Sequence, residues 1–150
     1  MALERTFSII KPDATRRNLT GQINARLEAA GLRIVAQKRK QLTQGEAEAF
    51  YDVHAERPFY PGLIKFVTSG PVVCMAWEGR DAISVARKLI GSTNGREAEP
   101  GTIRGDFGMD MGYNMIHGSD APETAAFELG LWFPEGLMDW NNTMGTWVYE

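Results

Sequence analysis

The chain has one cysteine, Cys74, in 150 residues, so no disulfide can close within it. A reducing, intracellular setting suits that usage, and a cytoplasmic location is expected. The only histidines are His54 and His117, which with Cys74 cannot build a zinc cluster unless carboxylates join them. No apolar run approaches the roughly 20 residues of a spanning helix, so no membrane partner is expected. The opening Met1-Ala-Leu-Glu-Arg-Thr-Phe7 lacks a charged stretch followed by an apolar one, so no secretory leader is expected. On that basis the sequons at Asn18 and Asn141 carry no glycosylation meaning. There is no Gly-Lys dipeptide, which excludes a P-loop, no Gly-rich dinucleotide fingerprint after a strand, and no kinase catalytic-loop pattern. A nucleotide ligand would have to be held by side chains. The net charge of -3 argues against a nucleic-acid partner held by bulk charge, though a local basic pocket is compatible with it.

What is present is an ordinary globular mixture, 43% hydrophobic and 23% charged, at a length that suits one domain over 1–150. Arg5–Ile10 is short and rich in β-branched and aromatic residues and reads as a strand, ended by Lys11-Pro12-Asp13. Ile23, Leu27 and Ala30 recur at helical spacing before Gly31. Leu32, Ile34 and Ala36 alternate as a second strand, whose Lys38, Arg39 and Lys40 belong at an edge or toward solvent. Ala47, Phe50, Tyr51 and His54 form one helical stripe over 43–54, with Thr43 and Glu46 as a capping box. After the break at Arg57-Pro-Phe-Tyr-Pro61, residues 62–68 suit one or two helical turns.

Pro71–Trp77 is a continuous apolar run between glycines, the pattern of a central buried strand. Ala82, Val85, Ala86, Leu89 and Ile90 trace a helix face closed by Gly91. Residues 92–113 show no period and contain five glycines and a proline, and a loop beyond about 12–15 residues is usually functional. Asn114–His117 reads as a strand, 121–132 as the last helix, and the apolar tail 133–150 as a segment that wraps the surface or joins an interface. The order predicts a ferredoxin-like βαββαβ sandwich, an α/β fold with a four-stranded, mainly antiparallel sheet, its crossover helices on one face, extra helices and a long active-site loop.

His117-Gly-Ser-Asp120 sits between a strand and a helix. Asp120 with Glu123 predicts a capping box there, and Pro122 suits the first helical turn. Imidazole has an ordinary pKa near 6.5, so a large neutral fraction exists at pH 7. A neutral ring nitrogen is a nucleophile when an acceptor holds the other one. Glu128 on the inner face of the last helix is the candidate acceptor, although spacing alone leaves their meeting open. Lys11, Arg87 and Arg104 come from three elements and either converge on phosphate oxygens or lie apart as solvated charges. Phe59, between Pro58 and Tyr60, is either a stacking platform for a planar base or loop packing, and Tyr51 is either a hydrogen-bond donor or core with a wet tip.

Asn114-Met-Ile-His-Gly-Ser-Asp120 resembles the active-site signature of nucleoside diphosphate kinases. So, in order and spacing, do Ile10-Lys-Pro-Asp13, Glu56-Arg-Pro-Phe59, Ser69-Gly-Pro-Val72, Thr93-Asn94, Pro100–Phe107 and Trp147-Val-Tyr-Glu150. The resemblance implies transfer of a γ-phosphoryl group from a nucleoside triphosphate to a nucleoside diphosphate, by ping-pong through a phosphohistidine on Nδ1 of His117. It implies Lys11, Arg87, Arg104, Thr93 and Asn114 as phosphate and ribose contacts. Phe59 would be the base-stacking aromatic, Tyr51 and Ser119 supporting hydroxyls, and Glu128 the orienting carboxylate. Mg2+ would arrive on the nucleotide phosphates with no metal ligand from the protein, and the assembly would be a homo-oligomer, a hexamer or a tetramer. Two departures stand out: Gly95, where that family often has proline, predicts a looser loop, and Asp110 adds negative charge near the nucleotide entrance. A nucleotide sensor without turnover and an assembly protein with a silent site are the competing readings of the same fold.

Overall fold

Strand β3 (Val72–Arg80) explains the architecture, because every residue from Val72 to Gly79 is buried. It hydrogen-bonds on both sides, to β1 (Leu3–Ile10) and to β2 (Arg33–Lys40), and β1 pairs in turn with β4 (Ile116–Gly118). The sheet order is β2-β3-β1-β4 and every pairing is antiparallel. This is the computed structural model of the chain, describing residues 3–140 and 143–150. Met1 and Ala2 of the opening segment and Asn141 of the second sequon lie outside those residues.

Alternation along β3 divides its side chains between two cores. Val73, Met75 and Trp77 face the two crossover helices, α2 (Thr20–Ala29) and α5 (Ala82–Ile90), through Ile23, Leu27, Ala82, Ala86 and Ile90. Val72, Cys74 and Ala76 face the other side, covered by α3 (Gln44–Phe50), α4 (Tyr60–Val67) and α7 (Pro122–Trp132) through Phe50, Ile64, Val67 and Trp132. The crossover helices share one face as expected, and the added helices bury the other. Each fully buried Ile, Leu, Val or Met contributes about 1.5–3 kcal/mol, so both faces matter to stability.

Several local expectations hold for physical reasons. The Thr43 hydroxyl accepts from the Glu46 backbone N–H while the Glu46 carboxylate accepts from the Thr43 N–H, a reciprocal cap. Gly91 ends α5 at φ 93°, a conformation that favours glycine. Lys38, Arg39 and Lys40 lie on the edge strand β2.

Other details differ. Pro12 does more than end β1: it opens a short helix α1 (Pro12–Arg16), where its missing N–H costs nothing. The helix expected over 43–54 stops at Phe50 and continues as a 3-10 turn at Asp52–His54, because the apolar stripe ends at Tyr51 and Val53 is 82% exposed. The aperiodic stretch 92–113 hides α6 (Ile103–Phe107), capped by the Thr102 hydroxyl and anchored by the fully buried Ile103; a helix this short shows no readable period. A β-bulge between Ile34 and Ala36 breaks the expected alternation: Leu32 and Ile34 pack in one core, while Val35 and Ala36 pack in the other. The expected box of Asp120 and Glu123 is absent: α7 starts from Ala121 without a side-chain cap, and the Asp120 carboxylate accepts from the Thr124 hydroxyl instead (2.5 Å).

The tail wraps β2. Lys38 pairs with Glu135, the Met138 N–H donates to the Val35 carbonyl, and Arg33 lies over the Trp140 ring. A final short helix α8 (Gly145–Val148) leads to Tyr149, whose hydroxyl accepts from the Arg80 N–H. Among the described residues no helix is long and apolar enough to cross a membrane.

Candidate active site

The pairing of β1 with β4 builds the site. Ile9 lies opposite His117 and Ile10 opposite Ile116, so Lys11, the residue after β1, arrives beside the turn that precedes β4. The Lys11 N–H donates to the Met115 carbonyl (2.9 Å), and its ammonium donates to the Asn114 side-chain oxygen (2.8 Å). Asn114 in turn donates through its amide to the Thr93 carbonyl (3.1 Å), which ties the long loop to the same point.

His117 is held from α7. Its Nε2 lies 2.9 Å from a Glu128 carboxylate oxygen, while the other Glu128 oxygen accepts from the Ser119 hydroxyl (2.6 Å). With a carboxylate as acceptor at Nε2, the neutral imidazole that fits this contact carries its proton on Nε2 and its lone pair on Nδ1. Glu128 is buried, whereas the His117 side chain is 27% exposed and reachable from solvent. Phe50 packs edge-on to the imidazole, with ring centres 5.2 Å apart, and fixes its plane from the helix side.

The cations converge. Arg104 is buried and its guanidinium spans three carbonyls, donating to Asn114 (3.2 Å), Gly91 (3.1 Å) and Ile116 (2.6 Å). Three of its five N–H donors are thereby occupied, so Arg104 braces the loop as well as carrying charge. Arg87 donates to the Gly118 carbonyl (3.1 Å), next to His117. Burial, and then the Arg104 charge, lowers the Lys11 ammonium to about 8, with Asp13 opposing. Burial, with the charge of Arg87 added, lowers Arg104 to about 10. Like charges gathered in a low-dielectric site raise one another's energy, and an anion between them relieves it.

Tyr51 is buried, and its hydroxyl has no hydrogen-bond partner among the described residues. Burial, with the negative charge of Glu128, pushes that phenol well above its ordinary range, so it stays protonated. Phe59 joins the site through a file of rings, Phe50 to Tyr51 (4.6 Å), Tyr51 to His54 (6.4 Å) and His54 to Phe59 (5.4 Å), and its face is open at 55% exposure.

A sequence profile of the nucleoside diphosphate kinase family matches residues 4–138. The chain belongs to the nucleoside diphosphate kinase family. A nucleoside diphosphate kinase of Synechococcus sp. is 56% identical over 149 residues, covering 99% of this chain and 100% of that protein. One from Acidiphilium cryptum is 62% identical over 133 residues, covering 89% of this chain and 95% of that one. The solved structure of a halophilic nucleoside diphosphate kinase from Halobacterium salinarum in complex with CDP superposes with a TM-score of 0.96 at 45% identity, over 99% of this chain and 100% of that one. The chain is accordingly a phosphotransferase that moves a phosphoryl group between nucleoside tri- and diphosphates.

Reading the sequence missed three contributors. Phe50 registers only as a core residue of a helical stripe, and its contact with the imidazole needs the tertiary fold. Met115 has a backbone φ of 72°, in a region that costs a non-glycine residue about 1–3 kcal/mol, and its identity gives no sign of this. Asp13 stands in a quoted motif without a role, yet its carboxylate accepts from the Met115 N–H (3.0 Å). The two departures have defined surroundings. Gly95 is buried against Gly108, where a Cβ would come within 2.5 Å of backbone, so this glycine permits close packing. Asp110 lies 3.9 Å from Arg96, with both side chains exposed.

Proposed function

We propose that the kinase works by ping-pong through a phosphohistidine on His117. Nδ1 attacks the γ-phosphorus of a nucleoside triphosphate, the bond to the β-phosphate oxygen breaks, and the diphosphate leaves. A second diphosphate then takes the phosphoryl group by the reverse step, so one site serves donor and acceptor. The observation carrying this reading is the 2.9 Å contact of Nε2 with Glu128, which leaves Nδ1 as the free nucleophile.

Phosphoryl transfer needs positioning and charge neutralisation more than covalent chemistry from the protein. Lys11, Arg87 and the free donors of Arg104 offset the charge growing on the phosphoryl oxygens. Asn114 and Thr93 position phosphate and ribose, Tyr51 and Ser119 supply supporting hydroxyls, and Phe59 stacks on the base. A stacking face reads no base edge, so base tolerance is broad. Mg2+ arrives with the nucleotide, whose phosphate oxygens suit a hard cation. Residues 1–150 act as one domain in a homo-oligomer, hexamer or tetramer, a reading supported by Trp147, 86% exposed on the tail. The free, buried Cys74 supports a reducing cytoplasm.

The test is incubation with γ-labelled ATP without acceptor. The wild type takes up acid-labile, base-stable label that added diphosphate discharges, and His117→Ala takes up none. A wild type that stays unlabelled, or an alanine variant that keeps the label, removes the mechanism.

A further inference from the structure

The residues just before His117 form a tight three-residue turn. The Ile116 N–H donates to the Asn114 carbonyl at 2.8 Å, and Met115 between them has φ 72°. That combination is the left-handed γ-turn, which is rare and strained. Such a turn persists only where its surroundings over-determine it. Asn114 and His117 both hang from this turn, so its shape sets where the nucleophile stands relative to the Lys11 and Asn114 pair.

Its fixings come from few directions. Arg104 reaches the Asn114 and Ile116 carbonyls, and the Lys11 N–H reaches the Met115 carbonyl, so these hold acceptors. The N–H of the strained residue itself is held by Asp13, through the oxygen 3.0 Å away. The other Asp13 oxygen is buried and has no hydrogen-bond partner among the described residues, and the Met115 N–H is the carboxylate's one hydrogen-bond partner from beyond its own turn. Without that acceptor the Met115 N–H loses its side-chain partner and the turn keeps only its carbonyl anchors, which weakens its hold against rotation toward φ < 0 and against a shift of His117 relative to Asn114.

We infer that Asp13 is a positioning residue for the phosphoryl transfer: by holding the Met115 N–H it keeps the strained turn closed and His117 aligned with the Lys11–Asn114 pair. This rests on the phosphohistidine reading above. The effect falls on the chemical step more than on nucleotide binding, because a misplacement on the ångström scale can cost about 100-fold in rate.

The experiment is quench-flow labelling of His117 by MgATP in the full-length protein, together with amide exchange at Met115. In Asp13→Ala the labelling rate at saturating nucleotide falls at least about tenfold while the half-saturating concentration moves less than about threefold. Asp13→Asn keeps an acceptor at the same distance and recovers to within about threefold of the wild-type rate. Should Asp13→Ala fail to fold, Asp13→Glu carries the test: it retains the charge but displaces the acceptor by one methylene, and it also slows labelling about tenfold. Wild-type labelling by Asp13→Ala or Asp13→Glu, a defect confined to half-saturation, or an asparagine variant as slow as alanine overturns the assignment. Met115 amide exchange separates this inference from the reading beneath it. If the wild type takes no label, the phosphohistidine mechanism fails, and the clamp still requires faster Met115 exchange in Asp13→Ala; unchanged exchange sinks the clamp by itself.

Discussion

Replacing Glu128 with glutamine tests the proposal that its charge orients His117 as the nucleophile. The carboxylate now accepts two hydrogen bonds, from His117 Nε2 (2.9 Å) and from the Ser119 hydroxyl (2.6 Å). Glutamine has the same shape but one acceptor and one donor group. With its oxygen toward His117, its amide faces Ser119, whose hydroxyl retains the Phe7 carbonyl at 3.3 Å as an acceptor. The imidazole keeps its tautomer but loses an ionised partner as positive charge grows on the ring. With the amide toward His117 instead, Nε2 must accept, the ring proton moves to Nδ1, and the nucleophilic lone pair is lost. The milder case exchanges a hydrogen bond to a charged group, worth about 1.5–3 kcal/mol, for a neutral one worth about 0.5–1.5, a loss of about 1–1.5 kcal/mol or about five- to tenfold in rate. Single-turnover labelling from saturating MgATP reads that rate directly. Wild-type labelling at saturation, or a loss that more nucleotide fully restores, would refute the orienting role.

Phe59→Ala weakens nucleotide binding by about 1–3 kcal/mol, and titration with purine and pyrimidine diphosphates shows a similar loss for each; a loss confined to one base contradicts stacking. The Lys11 ammonium, at about 8 in the free protein, loses its proton as pH rises through that value, so kcat/KM falls on the alkaline side. Bound phosphate favours the charged form, so the corresponding limb in kcat lies at higher pH, and coincident limbs in the two profiles would exclude Lys11 as the group. Arg104→Lys replaces a fork spanning three carbonyls with a single point donor, so thermal unfolding shifts down by several degrees and activity falls with it; an unchanged Tm would mean the brace contributes nothing.

Local pattern alone determined much of this protein. The apolar run 71–77 marks the central strand because a strand buried on both faces needs no polar alternation. Thr43 and Glu46, and Gly91, mark helix ends because caps are satisfied within a few residues of themselves. The His-Gly-Ser-Asp stretch marks a candidate nucleophile beside a helix, and the basic residues at 11, 87 and 104 are visible as candidates. What local pattern cannot carry is which separated pieces meet. Lys11 reaches Asn114 across more than a hundred residues of chain only because β1 pairs with β4 in the register Ile10 to Ile116. That register is set by packing on both sheet faces. The bulge in β2, the bracing of three carbonyls by Arg104, the edge contact of Phe50 with His117 and the strained turn under Asp13 are likewise tertiary decisions. Each depends on buried polar groups finding partners from distant segments, and a partner fixed by the closing of the sheet leaves no mark on the residues that flank it.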